Sequence, residues 1–191
     1  MGSFTTVMID TNQISDIIQA LRQGYTHNGI THRSNYQIAT IMLLQANLGC
    51  RIGDIVNLTV ENIVFDGEAW RLDMIEQKTG KLRRYVVPTP VKAIIDDWCR
   101  MKCITKGRLF KCGEQAVWKQ LRAVTSYLNM KDVSAHSFRK AAAFRVYMDS
   151  GKDIALTSQF LNHASPNTSL LYLRRTNKQM DEICSHSAVM V

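Results

Sequence analysis

Two short patterns in the C-terminal third hold side chains suited to phosphoryl chemistry. His136-Ser137-Phe138-Arg139 sets a histidine and an arginine three residues apart, and Leu161-Asn162-His163 is followed nine residues on by Tyr172. On a helix, positions i and i+3 share a face, so His136 and Arg139 would point into one site. Upstream, Arg51 stands in Leu48-Gly49-Cys50-Arg51-Ile52-Gly53-Asp54, and Lys78 opens a Lys78-Thr79-Gly80 turn. Cutting a phosphodiester without a metal calls for such a set. The non-bridging oxygens must be held and their charge met in a pentacovalent transition state. A guanidinium, always charged and offering a fork of donors, suits that task. A nucleophile must take up the phosphoryl group, and protons must leave it and reach the departing oxygen. Tyrosine fits because an aryl phosphodiester stores the bond energy for rejoining, so no ATP is required. The chain has no Walker-type glycine loop.

Each pattern also has an ordinary reading. H-x-x-R alone describes a surface pair, and Leu170, Leu171 and Leu173 around Tyr172 describe a core tyrosine. Arg51 could serve only as an ion-pair partner of Asp54, and Lys81 lies on the same turn as Lys78. Order and spacing decide between the readings. A G-x-R-x-x-D box, a hairpin lysine, H-x-x-R, an N-H dipeptide and a tyrosine nine residues on follow one another, and in this the sequence resembles the tyrosine recombinase/phage integrase family. The likeness covers about residues 12 to 185.

The resemblance implies a role for each position. Arg51 and Arg139 would clamp the scissile phosphate, and Lys78 would protonate the leaving 5′ oxygen. His136 would assist proton transfer with Tyr172, and His163 would hydrogen-bond a phosphate oxygen. Tyr172 would attack to give a 3′-phosphotyrosyl link. Asp54, one helical turn from Arg51, would orient that arginine. The gathered cations are expected to lower the pKa of Tyr172. Asn162 stands where the family often has glycine, Asp54 where glutamate is usual, and Lys140 where a histidine commonly follows the arginine.

The elements that must position these residues can be read from periodicity. Thr11 or Asn12 caps a helix striped by Ile14, Ile17, Ile18 and Leu21, ended by Gly24. Ser34 or Asn35 opens a helix to Leu48 that is apolar on most sides, hence central. A short helix over Ile52 to Leu58 follows. Then the period changes: Ile63 to Phe65, Ala69 to Ile75 and Leu82 to Val87, joined by Asp66-Gly67 and Lys78-Thr79-Gly80 turns, read as three antiparallel strands. Two amphipathic helices come next, striped by Val91, Ile94, Ile95 and Trp98, and by Val117, Leu121, Val124 and Leu128. Helices over Ser137 to Asp149, over Asp153 to Leu161, and after Pro166 complete the pattern. The fold class expected is mainly α with a small three-stranded antiparallel β-sheet (α+β), as in the catalytic domain of the resembled family.

At 191 residues the chain supports one full core. Its domains are expected as an N-terminal extension over 1–11, the catalytic domain over 12–185 and a C-terminal tail over 186–191. No separate core-binding domain is expected within this chain, which reads either as a single-domain recombinase or as part of a longer integrase. The net charge of +8 suits a polyanionic partner, with Lys81-Leu82-Arg83-Arg84, Arg139-Lys140 and Arg174-Arg175 forming a basic face. Five cysteines at irregular spacing, without paired motifs, read as plain thiols rather than metal ligands. No cofactor and no metal are expected. With neither a membrane-length apolar run nor a signal peptide, a cytoplasmic protein of bacterial or phage origin is expected. Double-stranded DNA is the implied partner, bound by a homotetramer; Met180, Ile183 and Val189 to Val191 read equally as its docking face or as packing on the chain's own core, and free in solution a monomer is compatible. Two rival functions share these residues: a type IB topoisomerase-like enzyme, and a DNA-binding regulator that keeps the fold without catalysis.

Overall fold

The structure is a computed structural model and describes residues 6–163 and 165–172. Helix α1 (Thr11–Gln23) begins one residue earlier than the sequence suggests, because Asp10 rather than Thr11 forms the capping box with Gln13. Helix α2 (Tyr36–Leu48), capped by Asn35, runs through the middle of the core with Ile38, Ile41, Met42, Leu44 and Leu48 essentially solvent-free. Helices α1 and α6 (Ala135–Asp149) pack on it. It ends at Gly49, whose left-handed φ of 59° turns the chain into α3 (Ile52–Val56).

The expected sheet forms as β3 (Ile63–Phe65), β4 (Trp70–Ile75) and β5 (Leu82–Val86), antiparallel in that order. Its inner face sends Leu72 and Met74 into the core. Helices α4 (Thr89–Lys102), α5 (Glu114–Tyr127), α7 (Ile154–Leu161) and α8 (Pro166–Tyr172) complete the fold. A second small sheet was not foreseen: β1 (Tyr25–His27) and β2 (Ile30–His32) form a hairpin. Its signal is local, since Asn28 and Gly29 both take positive φ, as a two-residue turn that matches strand twist requires.

Two expectations about charge are corrected. Arg83 is not on a basic face but 2% exposed, because the alternation along β5 turns it inward while Arg84 stays outside beside Asp73. Arg139 is likewise buried, at 1%. Among the described residues Cys50, Cys99, Cys103 and Cys112 are free thiols and no group of acidic, histidine and cysteine side chains is placed to hold a metal. No described helix is long and apolar enough to cross a membrane. Arg174, Arg175, the docking segment with Met180 and Ile183, and the side chain of Tyr172 lie outside the described residues.

Candidate active site

The start of α3, the β4–β5 turn, the starts of α5 and α6 and the α7–α8 junction meet around a cleft of about 520 Å³. Arg51, Asp54, Lys78, His136 and His163 all line it, with Gln77, Glu114 and Thr168. Four of the six residues expected to carry chemistry therefore share one concavity although up to 112 positions separate them along the chain (163 − 51). Helix α6 starts two residues earlier than the sequence suggests, at Ala135, with Ser134 and Ser137 forming its capping box. That places His136 in the first turn, open to the cleft.

Arg139 sits behind this surface rather than in it. Its Nη1 donates to the Gly49 carbonyl at 2.5 Å and its Nη2 to the Leu161 carbonyl at 2.9 Å. The same Nη2 lies 3.4 Å from His163 Nε2. A guanidinium has donors only, so His163 Nε2 accepts, and the proton of the neutral ring is on Nδ1, donated to Ser169 Oγ at 2.8 Å. Burial, then the charges of Arg139 and Arg51, push the His163 pKa down to about 4. His136 is lowered too, by burial first and then by Arg139, Lys140, Lys78 and Arg51. Both histidines are neutral at pH 7, in a field of surrounding cations.

Asp54 does not hold Arg51 as expected. Its Oδ1 accepts from the backbone nitrogen of Gln77 at 2.9 Å, so this carboxylate grips the hairpin instead. Arg51 pairs with Glu76, Nη1 to Oε2 at 2.6 Å. Glu76 is fully buried, and its other oxygen receives Arg83 Nη1 at 2.7 Å. Burial alone would raise the pKa of Glu76, but hydrogen bonds from Thr79, Arg51 and Arg83 outweigh it and hold the group below the ordinary carboxylate range. Arg83 continues to the carbonyls of Leu48, Gly49 and Phe160, at 3.3, 3.4 and 2.6 Å. The sequence reading missed Glu76, Arg83 and Ser169. Only the strand alternation around Arg83 carried a signal, and it marks burial rather than a partner.

Asn162 explains one departure from the resembled pattern. It caps α7 with φ 54° and ψ 37°, a left-handed conformation that glycine adopts freely and asparagine tolerates best among other residues. Its Nδ2 also donates to the Leu82 carbonyl at 3.2 Å. Lys140, another departure, ties α6 to the N-terminal segment through the Thr6 carbonyl at 2.6 Å.

This fold is that of a tyrosine recombinase catalytic domain. Residues 8–179 match the model of the Phage integrase family, and the chain belongs to that family. The tyrosine recombinase XerA of Pyrococcus furiosus is 29% identical over 151 residues, which cover 74% of this chain and 51% of the relative. The chain thus spans about half the length of that curated relative. A crystal structure of XerA recombinase superposes with a TM-score of 0.69 at 17% identity, covering 100% of this chain and 67% of that one. A lambda integrase dimer bound to a COC′ core site gives 0.68 at 18% identity, covering 91% and 61%. At these identities the solved structures speak for the fold alone.

Proposed function

We propose that the chain is the catalytic domain of a site-specific recombinase that cuts and rejoins double-stranded DNA through a 3′-phosphotyrosyl link to Tyr172, without metal or ATP. The observation that carries this reading is the convergence of Arg51, Lys78, His136 and His163 on one cleft, with Arg139 directly behind His163. Thr168, one turn before Tyr172 on α8, lines the same cleft. A catalytic domain over 12–185 accommodates all of these elements.

The steps follow from the groups present. Arg51 offers donors at the cleft surface to a non-bridging oxygen, while Arg139 adds charge from a buried, weakly screened position. Neutral His136 can accept a proton as the Tyr172 hydroxyl attacks. Lys78, on the exposed turn, delivers a proton to the departing 5′ oxygen. His163 enters the reaction with Nε2 as an acceptor. A phosphate beside it brings negative charge, which raises its proton affinity and draws Nε2 into donating. A 5′-hydroxyl from a second strand then reverses the chemistry onto a new partner.

Assembly as a homotetramer on two DNA sites, and a cytoplasmic setting, belong to the same proposal. The topoisomerase-like and non-catalytic readings make different predictions. Wild-type protein is incubated with a pool of nicked suicide DNA duplexes in EDTA, and adducts that survive denaturant are counted. An adduct that is resolved by strand exchange between two duplexes supports the recombinase, whereas an adduct accompanied only by relaxation of a supercoiled circle supports the topoisomerase-like enzyme. No adduct from any duplex supports the non-catalytic regulator.

A further inference from the structure

We infer that Glu76 is a positioning residue that seats Arg51 for the phosphate, with Arg83 as its counter-charge; this rests on the phosphate-clamp reading of Arg51. Arg51 stands at the cap position of α3, where its side chain makes no capping bond, and it keeps 22% of its side-chain surface exposed. A long side chain so placed must be fixed before it can meet charge developing in a transition state. Glu76 supplies the fixing contact at 2.6 Å, charge-assisted because both partners are ionised.

A bare carboxylate this close to a bound phosphate would repel it. Arg83 removes that objection. Its side chain is buried, pairs with the second oxygen of Glu76, and is itself pinned by backbone carbonyls on two sides. The Glu76–Arg83 pair is neutral as a unit, so Arg51 keeps its full positive charge for the substrate. The same residue also closes the hairpin: the Glu76 N–H donates to the Lys81 carbonyl, and its carbonyl accepts from Gly80 N–H, both at 2.9 Å. Thr79 Oγ1 adds a bond to Oε2 at 2.8 Å. Glu76 thereby sets the phosphate-binding arginine and the Lys78 turn in one frame.

A double-mutant cycle tests this on nicked suicide DNA in single turnover, with wild type, Glu76→Gln, Arg51→Ala and the double variant. Glu76→Gln is expected to slow adduct formation by about 10- to 100-fold, less than the roughly 10²- to 10³-fold of losing an oriented electrostatic donor outright, because Arg51 itself remains. Its DNA affinity should stay within about 3-fold of wild type, since the contact acts in the transition state. In the Arg51→Ala background the same change should cost less than about 3-fold, because its target is gone. Equal losses in both backgrounds would overturn the proposal. Glu76→Gln/Arg83→Met, which removes both members of the buried pair, replaces Glu76→Gln if the single variant does not fold. A second readout needs no DNA: arginine side-chain 15N spectra should show Arg51 with slowed Nη exchange in wild type and averaged Nη signals in Glu76→Gln. Identical spectra would refute the seating of Arg51. Absence of adduct in wild type would instead contradict the recombinase reading, leaving the spectra to decide this one.

Discussion

The carboxylate of Asp54 accepts the backbone N–H of Gln77 at 2.9 Å, so the residue one turn beyond Arg51 holds the hairpin that carries Lys78. In the proposed mechanism, the residues assigned to phosphate binding and to leaving-group protonation are thus linked through this contact.

One consequence concerns Lys78. Its replacement by alanine should slow cleavage of ordinary DNA by about 10²- to 10⁴-fold, the usual worth of a general acid. DNA with a bridging 5′ sulfur at the scissile position expels a thiolate that needs no proton, so Lys78→Ala should cleave it at close to the wild-type rate. Lys81→Ala should behave as wild type on both, and Asp54→Ala as a milder Lys78→Ala. Single-turnover rates on the two substrates check this. Equal slowing of Lys78→Ala on both would remove the general-acid role.

Acid should weaken the fold through His163. Its pKa falls from 6.5 to about 4 on folding, so between those values the unfolded chain takes up the proton and the folded chain does not. Stability is therefore fully present above 6.5 and is lost as pH falls toward 4, below which the slope from this residue vanishes. Thermal melts from pH 7 to 4 should show a shallower decline for His163→Gln than for wild type. His136, shifted in the same direction, leaves the variant a residual slope.

Two backbone positions give stability predictions of different size. Asn162→Gly should be near neutral, exchanging a side-chain hydrogen bond for relief at φ 54°, whereas Asn162→Ala should cost about 1 kcal/mol. Gly49 is more constrained, since φ is 59° and an added Cβ would stand 2.5 Å from the Phe160 ring. Gly49→Ala should cost more than about 2 kcal/mol, from strain and overpacking together. Urea denaturation of the three variants ranks them; a near-neutral Gly49→Ala would contradict the packing described.

Much of the fold could be read because its signals are local. The stripe Ile14, Ile17, Ile18 and Leu21 and the two turns at Asp66-Gly67 and Lys78-Thr79-Gly80 each specify an element without reference to the rest. The β1–β2 hairpin carried a comparable signal in Asn28-Gly29 that the stronger helical patterns on either side obscured. The cleft was legible for a different reason, as spaced residue types matching a known order. What escaped was partner choice. Nothing in the sequence says that Arg51 meets Glu76, 25 residues on, rather than Asp54 three residues away. That choice depends on how β4 and its turn dock against the end of α2. Arg83 was hidden by its charge, since an interior arginine is tolerable only where acceptors such as the Glu76 carboxylate and the Leu48 and Phe160 carbonyls meet it.

The decisive measurement identifies the residue that carries the DNA. Wild-type protein and Tyr172→Phe are incubated in EDTA with nicked suicide DNA, nuclease-trimmed, digested with trypsin and analysed by mass spectrometry. A nucleotide remnant is expected on Tyr172 in wild type, with a free 5′-hydroxyl on the released strand and no adduct in Tyr172→Phe. An adduct that persists in Tyr172→Phe, or a remnant on any other residue, would contradict the assignment of Tyr172.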